Sequence, residues 1–319
     1  MRFVSAAILS AVLTAGTGFA TDQKTKDDVN QIGDRNVGKC LNFYSIEKEI
    51  ALGKQLSEEV SRQAKLDHDP IITEFVSRLG QNLVRNSDAK VPFTFQVVED
   101  DVPNAFALPG GFVFVNTGLI KLAGEEDELA GAMAHEIAHV AARHMTCQAT
   151  KGQIVSAASV PVSILLGGGL GGYASRQAAN MATQMGFLKL SRGAESEADY
   201  LGTQYMYAAG YDPTGAISIF EKLMSLQKKQ PGVFDRVFAT HPMDAERIDK
   251  TEKEIQRILP DKQEYIVTTS EYRNVRERLI AQEAGRKGAS TGPQLRIPAK
   301  TGTDEPTDRP TIKRRDLED

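Results

Sequence analysis

The sequence predicts an α+β fold that is mainly helical, with a small mixed sheet above one central helix. Alternating apolar and polar residues indicate strands mainly between residues 91 and 116. Apolar residues at helical spacing recur before and after that region. The central helix is expected within residues 125–149, where acidic residues crowd the first turn and alanines are frequent in the remainder.

The other elements follow from the same two periodicities. Strands are predicted over residues 91–98, 104–108 and 112–116, with a short fourth candidate over 265–267. Helices are predicted over residues 46–65, from residue 70 onward, and over 191–209, 213–229, 244–258 and 271–283. Asp69 before Pro70 is typical of an N-cap followed by proline in the first turn, and Pro109-Gly110-Gly111 predicts a tight turn.

The two ends of the chain differ in composition from the domain predicted over residues 45–283. Residues 1–20 combine one basic residue, a short apolar stretch and a small residue at the end, which is typical of a signal peptide cleaved after Ala20. An uncleaved anchor is the alternative. Residues 21–44 are polar without periodicity and are expected to form a loose N-terminal arm. Residues 284–319 have few large apolar side chains, so we expect a disordered tail.

Composition and charge limit the classes of function. A hydrophobic content of 41% over 319 residues is sufficient for a buried core. The formal net charge is −4, so the chain as a whole offers no basic surface for nucleic acid or for acidic lipids. We therefore exclude nucleic acid as a partner.

Residues 135–139 read His-Glu-Ile-Ala-His, a pattern that matches a metal-binding helix. Residues four apart in an α-helix lie about 40° apart around the axis, on one face. His135 and His139 can therefore bind the same metal ion. Glu136 projects beside the first ligand, where it can accept a proton from a metal-bound water.

A catalytic zinc site needs a third protein ligand and leaves the fourth position to water. Glu195, in the helix predicted over residues 191–209, is the candidate for this ligand. Glu197 is the alternative, because it lies about 200° around the helix from Glu195 and both cannot face one metal. Asp199 shares a face with Glu195 and can accept the free N–H of a ligating imidazole, which fixes its tautomer.

Four groups of motifs resemble the HtpX- and BepA-type zinc metallopeptidases, which are related to the membrane-embedded CAAX prenyl proteases. The resemblance covers about residues 45–282. Its motifs are NAFALPGG at 104–111 with VNTGL at 115–119, HEIAHVAARH at 135–144, SRGAESEAD at 191–199 and THPMDAERI at 240–248. The resemblance implies a zincin-type fold in which the sheet lies above the HExxH helix and a cleft separates them.

The resemblance also implies the composition of the site. His135, His139 and Glu195 would bind one Zn²⁺ per chain, and Glu136 would be the general base. An edge strand would pair with the substrate backbone, which gives affinity with little side-chain selectivity. The residues implied for this strand are Asn104, Ala105, Phe106 and Ala107.

Two further histidines are assigned differently. The resemblance implies that His241 either holds the zinc site shut or stabilises the oxyanion when the site is open. A histidine packed in a turn before Pro242 is the alternative. His144 stands one residue before the position that a third histidine ligand would take, so we expect it to pack or hydrogen-bond beneath the site without binding metal.

Two regions permit more than one interpretation. Cys40 and Cys147 can form one disulfide in an exported chain or remain two free thiols. The uncharged run at residues 154–174 is long enough to suggest a membrane span, but one crossing would separate His139 from Glu195. We expect a helix and a glycine-rich loop near the cleft, such as a lid. An interfacial hairpin in peripheral contact with the membrane is the alternative.

These observations predict a periplasmic zinc endopeptidase whose Glu136 activates a zinc-bound water. Backbone pairing requires an extended substrate, so unfolded or misassembled envelope proteins are the expected substrates. The alternative function is a latched zinc protein that acts mainly by binding client proteins, in quality control or assembly.

Overall fold

The computed structural model describes residues 26–159, 190–229, 241–242 and 244–290. The signal peptide predicted over residues 1–20, the larger part of the run at 154–174, and residues 291–319 of the predicted tail lie outside the described residues. Within the described ranges, no helix combines the length and the apolar character needed to cross a bilayer.

The described elements confirm a mainly helical α+β fold with a small mixed sheet. After a short 3₁₀ helix at Val29–Gln31, the α-helices are α1 Ile46–Gln63, α2 Pro70–Arg85, α3 Thr117–Leu122, α4 Glu126–Ala141, α5 His144–Ser159, α6 Arg192–Ala208, α7 Thr214–Lys229, α8 Ala245–Ile258 and α9 Ser270–Ser290. The strands are β1 Thr94–Val98, β2 Ala105–Leu108 and β3 Phe112–Asn116.

Side-chain caps explain where several helices begin. The carboxylate of Asp69 accepts a hydrogen bond from the backbone N–H of Ile71, and Pro70 occupies the first turn of α2. The hydroxyl of Ser191 accepts from the backbone N–H of Ala194 at the start of α6. Each cap satisfies a backbone donor that has no partner within the helix, so these starts agree closely with the sequence prediction.

The sheet has the strand order β1-β3-β2, with β1 parallel and β2 antiparallel to β3. Gly110 and Gly111 join β2 to β3 with φ angles of 76° and 95°, which glycine adopts at little cost. The predicted tight turn is therefore confirmed. Strand β2 lies at the edge of the described sheet, with one side available for pairing with another strand.

Helix α4 is the centre of the fold, and every residue from Glu126 to Val140 is buried. It packs against α2, α6, α7 and β2. A helix that is buried on all faces must carry small or apolar side chains wherever no special chemistry is required. The charged and imidazole side chains buried in α4 are therefore the exceptions that require an explanation.

The structure corrects the expectation of a single helix through residues 125–149. Helix α4 ends at Ala141, Arg143 adopts a left-handed φ of 56°, and α5 begins at His144. The side chain of Arg143 pairs with Glu49 of α1 at 2.7 Å and donates to the carbonyl oxygen of Tyr44 at 2.6 Å. These tertiary contacts accompany the backbone reversal, which sequence periodicity alone does not reveal.

The structure differs from the prediction in three smaller respects. The candidate strand at 265–267 reduces to one bridge between Ile266 and Tyr211. Helix α3 was not predicted. The last helix continues to Ser290, beyond the end predicted at residue 283, while the contacts within the chain separate a second unit that begins at Gln282, close to the predicted start of the tail.

The N-terminal arm is irregular, as its lack of periodicity predicts, but its described part is not loose. The side chains of Arg35 and Asp88 pair at 2.6 Å and are 1% and 0% exposed. Val37 belongs to the main core cluster. Cys40 and Cys147 form a disulfide that joins the arm to α5. Arg35 and Asp88 lie 53 residues apart in sequence, and Cys40 and Cys147 lie 107 residues apart. The local composition of the arm therefore could not indicate that it is docked.

Candidate metal centre

Two helices and one loop bring four side chains together. His135 and His139 of α4 direct their Nε2 atoms to within 2.9 Å of each other. The carboxylate oxygens of Glu195 of α6 lie 3.5 Å and 3.6 Å from these two atoms. His241 completes the group, in which one ligand atom from each residue lies within 4.8 Å of the others. The three predicted ligands therefore converge as expected.

His241 stands inside the ligand group and does not pack in a separate turn. Its Nδ1 lies 3.0 Å from Oε1 of Glu195, and its ring centroid lies 5.0 Å from that of His139. The side chain is 18% exposed, which makes it the most accessible of the four. Four ligand atoms around one point resemble a four-coordinate metal site that is closed, with no open position for water.

The donor set fits a divalent metal of the zinc type. Imidazole nitrogens and a carboxylate oxygen are the ligands that Zn²⁺ prefers besides thiolates. Glu195 is 1% exposed, and a buried carboxylate is costly unless it is paired or coordinates a cation. The Nε2 atoms of His135 and His139 face each other, and the carboxylate of Glu195 lies near both. A cation placed between them would therefore meet several lone pairs at one point.

Asp199 lies where the sequence predicts it, behind His135. Its Oδ1 is 3.0 Å from Nδ1 of His135. Arg247 of α8 binds both oxygens of Asp199, with Nε and Nη2 at 2.9 Å and 2.8 Å, and its Nη1 lies 2.9 Å from Oε2 of Glu195. In the sequence, Arg247 is recognisable only as part of the motif at residues 240–248. The structure shows that it is the cation that neutralises both carboxylates.

The structure also separates Glu197 from the ligand group. Its Oε2 lies 3.2 Å from Nε2 of His144, and Nδ1 of His144 lies 2.8 Å from Nδ1 of His139. Although burial opposes ionisation, hydrogen bonds to His144 and Lys26 lower the pKa of Glu197 to about 2. Glu197 is therefore not placed as the alternative ligand. His144 hydrogen-bonds behind the ligands, as expected.

Glu136 faces the sheet next to the ligands. Its Oε2 accepts a hydrogen bond of 3.0 Å from the backbone N–H of Ala107, and its Oε1 lies 3.7 Å from Nε2 of His241. Burial raises the pKa of Glu136 above its ordinary value, because a charged carboxylate is poorly solvated there. A raised pKa brings a carboxylate closer to the range of an effective general base.

The predicted substrate-binding segment borders this carboxylate. In β2 the N–H of Ala107 points away from β3 and toward Glu136. Asn104 lies just before the strand, and its carbonyl oxygen accepts from the backbone N–H of Asn116. Phe106 stacks on Phe114 with ring centroids 5.0 Å apart. The outer edge of β2 thus runs past the side chains of the candidate metal centre.

A small cavity of about 50 Å³ opens beside His135 and Glu136. Most of its remaining lining is apolar: Pro103, Ala105, Leu119, Ala132, Phe220 and Leu223. The ring of Phe220 also packs edge-on against His135, with centroids 5.7 Å apart. The cavity therefore presents a mostly apolar surface next to the predicted base.

Comparison with known proteins agrees with this geometry. The beta-barrel assembly-enhancing protease of Escherichia coli (strain K12) is 30% identical over 262 residues, covering 80% of this chain and 52% of that protein. The protein of the same name from Yersinia pestis is 29% identical over 263 residues, covering 81% and 53%. The chain thus spans about half the length of these two relatives.

A third relative has a different name and origin. Mitochondrial metalloendopeptidase OMA1 of Schizosaccharomyces pombe is 36% identical over 214 residues, covering 67% of this chain and 61% of that protein. Residues 70–255, more than half of the chain, match the description "Peptidase family M48". This stretch contains the HExxH helix, Glu195 and His241, and it confirms the resemblance seen in the motifs. The chain belongs to peptidase family M48.

Proposed function

We propose that this chain is a zinc endopeptidase that cleaves unfolded or misassembled proteins of the cell envelope. The observation that carries the proposal is the convergence of His135, His139 and Glu195, with Glu136 lying between them and the outer edge of β2. In this arrangement a general base stands beside a metal site and a strand edge that can hold an extended peptide.

Each group has a distinct task in this proposal. Zn²⁺ held by His135, His139 and Glu195 would supply Lewis acidity toward the scissile carbonyl and the attacking water. Glu136 accepts the proton of that water and passes it to the leaving amine. The backbone of β2 aligns the substrate segment, so that the peptide bond lies next to Glu136.

The substrate class and the location rest on indirect support. Strand pairing favours extended chains, and two relatives are named for β-barrel assembly. The signal peptide predicted over residues 1–20 agrees with a periplasmic location, although the OMA1 relative is named as mitochondrial. We also propose that residues 154–174 make a peripheral contact with the membrane, because this run is uncharged.

His241 supports a second candidate function. Because it belongs to the ligand group, it would occupy the position that substrate or water needs. We propose that this arrangement is a latched resting state and that His241 leaves it, or stabilises the oxyanion, when a substrate binds. If His241 rarely leaves the ligand group, the protein would cleave little and would act mainly by binding client proteins.

Digestion of casein by the purified full chain tests the proposal. We expect cleavage with about one zinc per chain, loss of cleavage after chelation, and recovery when zinc is restored. If the wild-type chain holds zinc without cleaving, His241→Ala decides between the two functions: cleavage by this variant shows a latched peptidase. A folded chain that binds no zinc would contradict the metal centre itself.

The apolar cavity predicts which bonds are cleaved. A substrate paired antiparallel with β2 runs from the Leu108 end toward Asn104. Since Glu136 contacts Ala107, the residue after the scissile bond then lies at the cavity. We expect Leu or Phe to be preferred over Asp at this position by at least about tenfold, because the cavity cannot solvate a charge.

Mass spectrometry of the casein fragments measures this preference. Leu223 lines the cavity and is partly buried, so Leu223→Lys should reduce the preference for apolar residues. Met224→Lys is the matched control, because Met224 is also partly buried in α7 but does not line the cavity. Equal cleavage before acidic and apolar residues would contradict the assignment.

A further inference from the structure

His139 is supported from behind by a series of hydrogen-bonding groups. When His139 presents the lone pair of Nε2 to a metal, its proton lies on Nδ1. The acceptor for this N–H is Nδ1 of His144, 2.8 Å away. His144 then carries its own proton on Nε2, which lies 3.2 Å from Oε2 of Glu197. With both rings neutral, each donor meets an acceptor only when His139 is in the tautomer that binds metal.

The N-terminal arm holds the far end of this series. Oε1 of Glu197 accepts from Nζ of Lys26 at 2.9 Å and from the backbone N–H of Gly38 at 3.3 Å. A positive charge and a backbone donor thus hold Glu197 oriented toward His144. Lys26 and Gly38 lie 171 and 159 residues before Glu197 in the sequence, so these contacts are purely tertiary.

The arm approaches the site so closely because residue 38 is glycine. Gly38 has a φ of 66°, and a Cβ atom at this position would lie 1.9 Å from the carbonyl oxygen of Ala142. Ala142 is at the break between α4 and α5, directly before the backbone reversal that directs His144 toward His139. The Cys40–Cys147 disulfide fixes the arm two residues further along.

We infer that His144 and Glu197 are positioning residues for the metal ligand His139, and that the N-terminal arm is a functional part of the metal site. The inference rests on the proposed metal centre. It assigns His139 a support of the same kind that Asp199 provides for His135. Docking of the arm should therefore change the affinity for metal.

The affinity of the full chain for zinc tests this inference, measured by competition with a fluorescent zinc chelator. We expect Glu197→Gln to weaken zinc binding by about 10–100-fold, the usual effect of removing a partner behind a metal ligand. Lys26→Met should weaken it in the same direction but less. The double variant should resemble Glu197→Gln alone, because Lys26 acts through Glu197.

Lys250→Met is the matched control. Lys250 of α8 also reaches across to α6, but its Nζ bonds to Ser196 beside Glu197 and pairs with Glu254 of α8. Its zinc affinity should equal that of the wild type. Zinc affinity of Glu197→Gln within about twofold of the wild type would overturn the inference, as would an equal loss in Lys250→Met.

A second measurement separates positioning from simple packing. Urea unfolding of the chelated proteins reports the stability of the fold without metal. A positioning role predicts that Lys26→Met changes zinc affinity more than this stability; an equal loss of both would show a structural role only. Because neither measurement uses peptide cleavage, an inactive wild type would contradict the proposed peptidase without affecting this test.

Discussion

Replacing Glu136 with glutamine is expected to reduce casein cleavage by about 10²–10⁴-fold, the usual contribution of a general base. Glutamine preserves the shape of the side chain but cannot accept a proton from water. Glu136 is not among the four residues whose ligand atoms converge, so the zinc content of the variant should equal that of the wild type. Cleavage rate and bound zinc, measured on the same samples, check both expectations.

Glu125→Gln provides the control for this variant. Glu125 directly precedes α4, is exposed, and makes no side-chain capping hydrogen bond, so its loss should leave cleavage and zinc binding unchanged. Full cleavage by Glu136→Gln would remove Glu136 from the mechanism. The same variant also separates the two proposed functions, because a client-binding role should survive the substitution.

The sequence could predict which side chains converge where local geometry decides their position. His135 and His139 share a face through helical spacing alone, whereas helical spacing in the second helix left Glu197 open as an alternative to Glu195, and the family resemblance favoured Glu195. The strands follow from period-two alternation, and the β2–β3 hairpin follows from a glycine turn. Such features need only one segment each, so they can be recognised before the fold is known.

The sequence predicted that Asp199 and His144 lie behind the ligand group, but it did not reveal the contacts between distant segments that hold them there. His144 faces His139 because the backbone reverses at Arg143, and that reversal accompanies contacts with α1. The docking of the arm depends on the partnership of Arg35 with Asp88 in the loop after α2. A polar segment without periodicity therefore appeared loose, although a buried ion pair and a disulfide hold it in place.

Arg247 shows how a residue noted only as part of a motif acquires a physical role. It supplies the positive charge for two buried carboxylates, Asp199 and Glu195, and it also donates to the carbonyl oxygen of Pro242 beside His241. The same side chain thus holds the partner of His135, the predicted metal ligand Glu195 and the backbone beside His241. Arg247 is therefore a buried cation that joins three parts of the site.

We therefore expect Arg247→Met to lower the free energy of unfolding by about 3–5 kcal/mol, the usual cost of removing one partner from a buried ion pair. The loss should be larger in the presence of a chelator. Zinc at the ligand group would partly offset the negative charge of Glu195, whereas the metal-free variant leaves both carboxylates without their main cation. Urea unfolding with and without a chelator measures this difference.

Lys250→Met tests whether the effect arises from burial of the charge and not from the loss of any cation in α8. The side chain of Lys250 is 53% exposed, and its pair with Glu254 is 3.8 Å long, so solvent screens the interaction and the expected loss is below about 1 kcal/mol. Similar losses in both variants would mean that Arg247 contributes only surface charge. A large loss in Arg247→Met alone, made larger by chelation, would show that metal and arginine share the task of balancing Glu195 and Asp199.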